Sequence, residues 1–214
     1  MNQPVILLGS GGHAKVLLDS LRRREFDVLG VVDPARTKGD DWLGCTVLGG
    51  DAAVEAYLPD RVVLVNGLGS LPRDQGGRSR VWQHFHSKGY RFLTLVHPAA
   101  LLADDVALAE GVQVMAGAII QAGTVIAKSC IVNTGAIVEH DCRIGHSVHI
   151  APGAVLCGGV TLGDAVHVGA GATLIQDIRV GAGSIIGAGS VVTRDVAARQ
   201  IVYPARSQIQ DLLR

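Results

Sequence analysis

The chain is short of aromatic rings and of charge, and it has no surplus of either sign. Phe, Trp and Tyr make up only 4% of the 214 residues, and 19 Lys+Arg balance 19 Asp+Glu. A core that lacks rings is filled by small aliphatic side chains, so thin and repetitive packing is expected rather than one wide interior. The even charge balance argues against a surface that coats a polyanion, so nucleic acid is not the expected partner. Four cysteines (Cys45, Cys130, Cys142 and Cys157) make no C-x-x-C pair and no dense framework. That excludes a disulfide-stapled secreted module and reads as buried thiols. The opening residues MNQPVILLGSGG lack the basic and long apolar regions of a signal peptide, so a cytoplasmic protein is expected. One stretch imitates a membrane span: Ile144–Gly163 carries no Asp, Glu, Lys or Arg. It also holds Pro152, five glycines and two histidines, and its apolar positions recur every six residues, so no membrane contact is expected.

What the chain has in abundance is that six-residue period. Divided into sixes from Val106 to Asp195, it gives fifteen blocks, among them VALAEG, CIVNTG, AIVEHD, CRIGHS and VHIAPG. The third position is Val, Ile or Leu in all fifteen, from Leu108 to Val192, and the sixth is Gly in nine. Such a period predicts short strands that each present one residue inward and turn at a glycine-assisted corner. Three faces then make a triangular coil of about eighteen residues, so fifteen blocks stack into about five coils. Val114, Val132, Ile150, Val168 and Ile186 should form one ladder inside an apolar prism.

Residues 1–97 have another rhythm. Val5–Leu8 reads as a buried strand, and Gly9-Ser10-Gly11-Gly12-His13 leads into a helix ending near Arg24. Further strands are expected at Asp27–Val32, Arg61–Val65 and Arg91–Val96. Asp51 reads as the cap of a short helix, and Arg78–Lys88 as a helix closed by Gly89. The alternation predicts a small Rossmann-like α/β domain with a parallel sheet. Residues 98–105 read as a linker, 106–196 as the repeat domain and 197–214 as a tail. The Ser70–Arg80 loop, carrying Arg73, Arg78 and Arg80, reads as mobile.

Two regions carry chemistry. The glycine loop at a helix N-terminus suits a phosphate group, and Asp33, at the end of the next strand, suits a ribose or base. The irregular blocks concentrate Asn133, Glu139, His140, Asp141, His146 and His149. In the six-residue register His149 and His167 face outward, whereas His140 and His146 sit near corners. An imidazole beside a carboxylate, as in His140-Asp141, is what a general base needs. Asp141 also falls at the corner position where Asp177 and Asp195 recur, and there it reads equally as a turn residue. The spacing of His140, His146 and His149 is not a standard zinc pattern, so no metal is expected.

The run Asn133–Ala154, the Gly-Gly-His loop, Val-Val-Asp, Gly-Leu-Gly, His-Pro and the tail Val202-Tyr-Pro-Ala-Arg206 together resemble the NeuD/PglD-like bacterial sugar acetyltransferases. The resemblance implies a left-handed parallel β-helix, an exception to the usual crossover hand. It also implies a homotrimer with active sites between subunits, with acetyl-CoA as cosubstrate and a nucleotide-sugar as acceptor. Carried over by motif, His140 resembles the general base and Asp141 its partner. Asn133, His149, Gly158, Ala170 and Ala188 resemble acetyl-CoA-binding positions, and Gly11, Gly12, His13, Asp33 and Gly69 those that hold the nucleotide-sugar. The expected reaction is direct N-acetylation of a nucleotide-linked 4-amino-sugar, with His149 aiding the oxyanion. O-acetylation of a sialic-acid-like sugar and a non-catalytic binding scaffold remain as alternatives.

Overall fold

A computed structural model describes residues 3–70 and 76–205 of the chain. Arg73, Arg206 and the remainder of the tail lie outside the described residues. The first unit is a five-stranded sheet made of β1 (Val5–Leu8), β2 (Val28–Val32), β3 (Asp41–Trp42), β4 (Cys45–Gly49) and β5 (Val63–Asn66), in the order β3-β4-β2-β1-β5. All pairings are parallel except the β3–β4 hairpin. Helix α1 (Gly12–Arg23) follows β1, and α2 (Gly76–Ser87) follows β5. The apolar side of α1, Ala14, Leu17, Leu18 and Leu21, is buried against Val5, Leu7 and Val31 on one face of the sheet. Phe85 of α2 packs with Ile6 and Leu64 on the other. The central strands are therefore apolar on both sides, as a parallel sheet requires.

The repeats form a three-sided parallel β-helix. Its faces are sheets of six, five and seven two-residue strands, paired at a spacing of eighteen residues, as in Ile119↔Ile137, Arg143↔Thr161 and His149↔His167, except for the final pair Ile185↔Ile201 at sixteen. Every third-position residue from Val114 to Val192 is buried, and Val114, Val132, Ile150, Val168 and Ile186 stack in the seven-stranded face. Sixth-position residues from Gly111 to Gly189, whether Gly135 (φ 65°), Ser129 (φ 61°), Asp141 (φ 60°) or Asp177 (φ 61°), take the left-handed conformation that turns each corner; Asp195 does not. Ile144–Gly163 is part of this prism, and among the described residues no helix is long and apolar enough to cross a membrane.

Some boundaries differ from the sequence reading. The β-helix begins before residue 106: Leu95–Val96 pairs with Gln113–Val114, and Leu101–Leu102, inside the expected linker, pairs with Ile119–Ile120. The strand expected at Arg91–Val96 is thus a prism strand preceded by one bridge, Leu64↔Phe92. Asp51 is not a cap; it begins a short 3-10 turn, Asp51–Ala56, whose N-cap is Gly50. Arg78, expected on a mobile loop, lies in the first turn of α2 and is 4% exposed. Cys45, Cys130 and Cys142 are buried, whereas Cys157 is only half-buried.

Candidate active site

His140 and Asp141 occupy the corner between the six-stranded and five-stranded faces. The left-handed turn at Asp141 swings its carboxylate back to the preceding ring, so Oδ2 lies 2.9 Å from His140 Nδ1. Both side chains are exposed, at 63% and 70%. The hydrogen bond to Asp141, and then its charge with those of Glu139 and Asp177, hold the imidazole pKa above its ordinary value. A carboxylate on Nδ1 keeps that nitrogen protonated and leaves Nε2 as a lone pair. The ring lies over the next coil at Gly158, where a Cβ would come within 2.6 Å of Nε2. Glycine at 158 therefore makes room for the His140 ring, a role the sequence did not disclose.

The other group of candidate residues lies elsewhere on the prism. Asn133, Ala170 and Ala188 belong to the corner between the seven-stranded and six-stranded faces, one face away from His140. His149 points outward from the prism, as the register predicts, but not to solvent. The α/β unit covers this face, leaving His149 9% and His167 6% exposed. Nδ1 of His149 is 3.0 Å from the carbonyl oxygen of Ser70, and Nε2 is 3.1 Å from Asn133 Nδ2. A carbonyl only accepts, so His149 carries its proton on Nδ1 and accepts the Asn133 amide on Nε2. Burial, and then the nearby His167, push its pKa down to about 4. The one N–H of His149 is thus committed to Ser70 in this arrangement.

The glycine loop frames a pocket of about 410 Å3 lined by Gly9, Ser10, Gly11, Gly12, His13, Asp33, Gly67, Leu68, Gly69, Gly77 and Arg78. Gly11 and Gly12 have negative φ, and nothing stands within 4 Å of a Cβ placed on either. Neither strain nor packing requires glycine there, and the backbone at both residues is open to the pocket. Gly67, in contrast, is demanded by packing, because its Cβ would meet Leu8 O at 2.6 Å and Ala14 Cβ at 2.9 Å. Asp33 is already engaged by its own chain. Oδ2 accepts from Ser10 N–H (2.9 Å) and Ser10 Oγ (2.5 Å), and Oδ1 accepts from Ala35 N–H. Burial opposes its ionisation, yet these bonds and Arg36 prevail and hold its carboxyl below the usual range.

Three residues at this site went unassigned in the sequence reading. Asn66, Gln113 and Arg78 are buried side chains at the seam between the units. Arg78 Nη1 donates to the carbonyls of Asn66 and Leu68, while its Nε and Nη2 find no partner among the described residues. Burial lowers its pKa to about 10. Among the described residues no cluster of three His, Cys, Asp or Glu side chains is arranged to hold a metal ion.

Comparison with known proteins places both halves together. Residues 4–72 match the PglD N-terminal domain, 135–176 the hexapeptide repeat of succinyl-transferase, and 159–194 the bacterial transferase hexapeptide of six repeats. PerB from Caulobacter crescentus, solved with CoA and GDP-perosamine, is 37% identical over 92% of each chain, with a TM-score of 0.84. The acetyltransferase domain of PglB from Neisseria gonorrhoeae, solved with acetyl coenzyme A, is 30% identical over 97% of this chain and 100% of that one, with a TM-score of 0.86. WeeI from Acinetobacter baumannii, 22% identical over 94% of this chain and 96% of its own, shares the fold with a TM-score of 0.76. No curated protein sequence matches. With an N-terminal domain and a hexapeptide prism that both match, and relatives that align over nearly their whole length, the chain belongs to the PglD/NeuD-like family of bacterial sugar acetyltransferases.

Proposed function

We propose that this enzyme transfers the acetyl group of acetyl-CoA to the amine of a nucleotide-linked 4-amino-sugar, with His140 as general base. The carrying observation is the His140–Asp141 pair, an exposed imidazole with Nδ1 committed to a carboxylate and Nε2 left as a lone pair. The free amine attacks the thioester carbonyl, and the C–S bond breaks as the amide C–N bond forms. His140 Nε2 takes a proton from the attacking nitrogen and returns it to the departing thiolate, giving the N-acetyl sugar and CoA. Direct transfer fits the thiols, since burial pushes Cys130 up to about 12 and Cys142 up to about 11, far from nucleophilic. PerB was solved with CoA and GDP-perosamine, which supports a nucleotide-linked amino-sugar as acceptor here.

The distribution of candidate residues over two corners supports active sites shared between subunits. His140, Asp141 and Gly158 lie on one corner, and Asn133, Ala170 and Ala188 on another, with the six-stranded face between them. The outward residues of that face are Leu101, Ile119, Ile137, Val155, Thr173 and Val191, and Leu101 and Val191 are each 66% exposed. A neighbouring prism against this apolar column would cover it and bring the two corners together, as a homotrimer requires.

His140→Ala tests the assignment. The side chain is exposed, so the fold should persist while turnover with a nucleotide 4-amino-sugar falls by roughly 10²–10⁴-fold. Near-normal turnover would remove His140 from the role. Acetylation of a sugar hydroxyl in preference to the amine would favour the O-acetyltransferase reading.

A further inference from the structure

The buried seam between the glycine loop and the prism carries one chain of hydrogen bonds with a fixed direction. It starts at the carbonyl oxygen of Asn66, which only accepts. Gln113 Nε2 lies 2.9 Å from that oxygen, so the nitrogen end of the Gln113 amide is placed there. The oxygen end, Oε1, is thereby turned toward His13 and lies 2.8 Å from its Nε2. An amide oxygen also only accepts, so His13 carries its proton on Nε2 and Nδ1 is left as the lone pair of a residue that lines the pocket.

Nothing in the prism calls for glutamine at this place. The neighbouring coil carries Ile131 in the same outward position, and Ile185 occupies it further along the face. At 1% exposure a glutamine is costly unless both ends are bonded, and both of its bonds here reach across to the α/β unit. Asn66 is braced in turn: its side chain donates to Arg78 O at 3.0 Å and accepts from Leu68 N–H at 3.2 Å, and its carbonyl also accepts from Arg78 Nη1. Burial, with the Arg78 charge beside it, pushes the His13 pKa down to about 4, so the ring stays neutral.

We propose that Gln113 is a positioning residue that fixes His13 in its Nε2–H form, so that His13 meets a hydrogen-bond donor on the hexose of the nucleotide-sugar, a hydroxyl or amine, and not a phosphate oxygen. A neutral ring with only a lone pair to offer repels phosphate oxygens and accepts from O–H or N–H. The diphosphate is left to the backbone N–H groups of Gly11 and Gly12. The substrate side of this proposal rests on the function argued above; the proton position does not.

The test is the 15N spectrum of the His13 ring in the full-length enzyme, assigned by its loss in His13→Gln, together with kinetics of Gln113→Leu and Gln113→Met. The resting enzyme should show a single neutral Nε2–H form, and both Gln113 variants a mixture of the two neutral forms. In the same variants KM for the nucleotide-sugar should rise about tenfold, equivalent to ~1.4 kcal/mol, with KM for acetyl-CoA unchanged. An Nδ1–H ring in the wild type, or an unchanged ring in both variants, overturns the proposal, as does an equal rise in both KM values. If no amino-sugar were acetylated by the wild type, the functional reading would fail while the ring spectrum still decided the proton position.

Discussion

Asp141 serves two purposes with one side chain. It turns a corner at φ 60°, a conformation that Asp and Asn tolerate better than other residues with a Cβ, and it holds His140 Nδ1. Asp141→Asn separates these roles, because Asn keeps the turn and can still accept from Nδ1–H but loses the charge. As the proposed base His140 would act unprotonated, and its raised pKa means it is protonated until a higher pH than an ordinary histidine. Without the carboxylate it sheds its proton at lower pH, so the acid limb of kcat/KM should move to lower pH. An acid limb that stays in place would take Asp141 out of the base. Adjacency of His140 and Asp141 was legible from the sequence because the pair is local. The engagement of Asp33 by Ser10 and Ala35 was less so, since Ser10 N–H reaches it from twenty-three residues away.

At the level of the element, the six-residue strand and corner is the unit of stability. Third positions point into the prism, where cavities cannot be filled by neighbours already locked in register. Ile150→Ala should cost about 2–5 kcal/mol, whereas Arg143→Ala, at an exposed outward position, should change stability by no more than about 0.5 kcal/mol. Denaturant unfolding checks both, and equal losses would contradict the inward–outward alternation. The repeats were legible because a strict period leaves its mark in every block. The β3–β4 hairpin was not, because Asp41–Trp42 is too short to show an alternation.

At the level of the whole molecule, two surfaces of the prism have different fates. The seven-stranded face is covered within the chain through Gln113, Ile131, His149 and His167, while the six-stranded face leaves an apolar column uncovered. Sedimentation should show a species of three chains. Val155→Arg, which sets a charge in that column, should release single chains and remove most of the transferase activity. A fully active monomer of the wild type would refute the shared site.

The sequence by itself determined the three-sided prism, the inward ladder, the α/β unit with its glycine loop and the His140-Asp141 pair. Each is written in a short period or in residues next to one another, where chain geometry alone dictates who faces whom. Only the tertiary structure decided that His149 is enclosed and its proton committed, and that Gln113 bridges to His13. Those outcomes depend on which face of the prism the α/β unit covers, and an inward ladder that is the same on every face carries no mark of that choice.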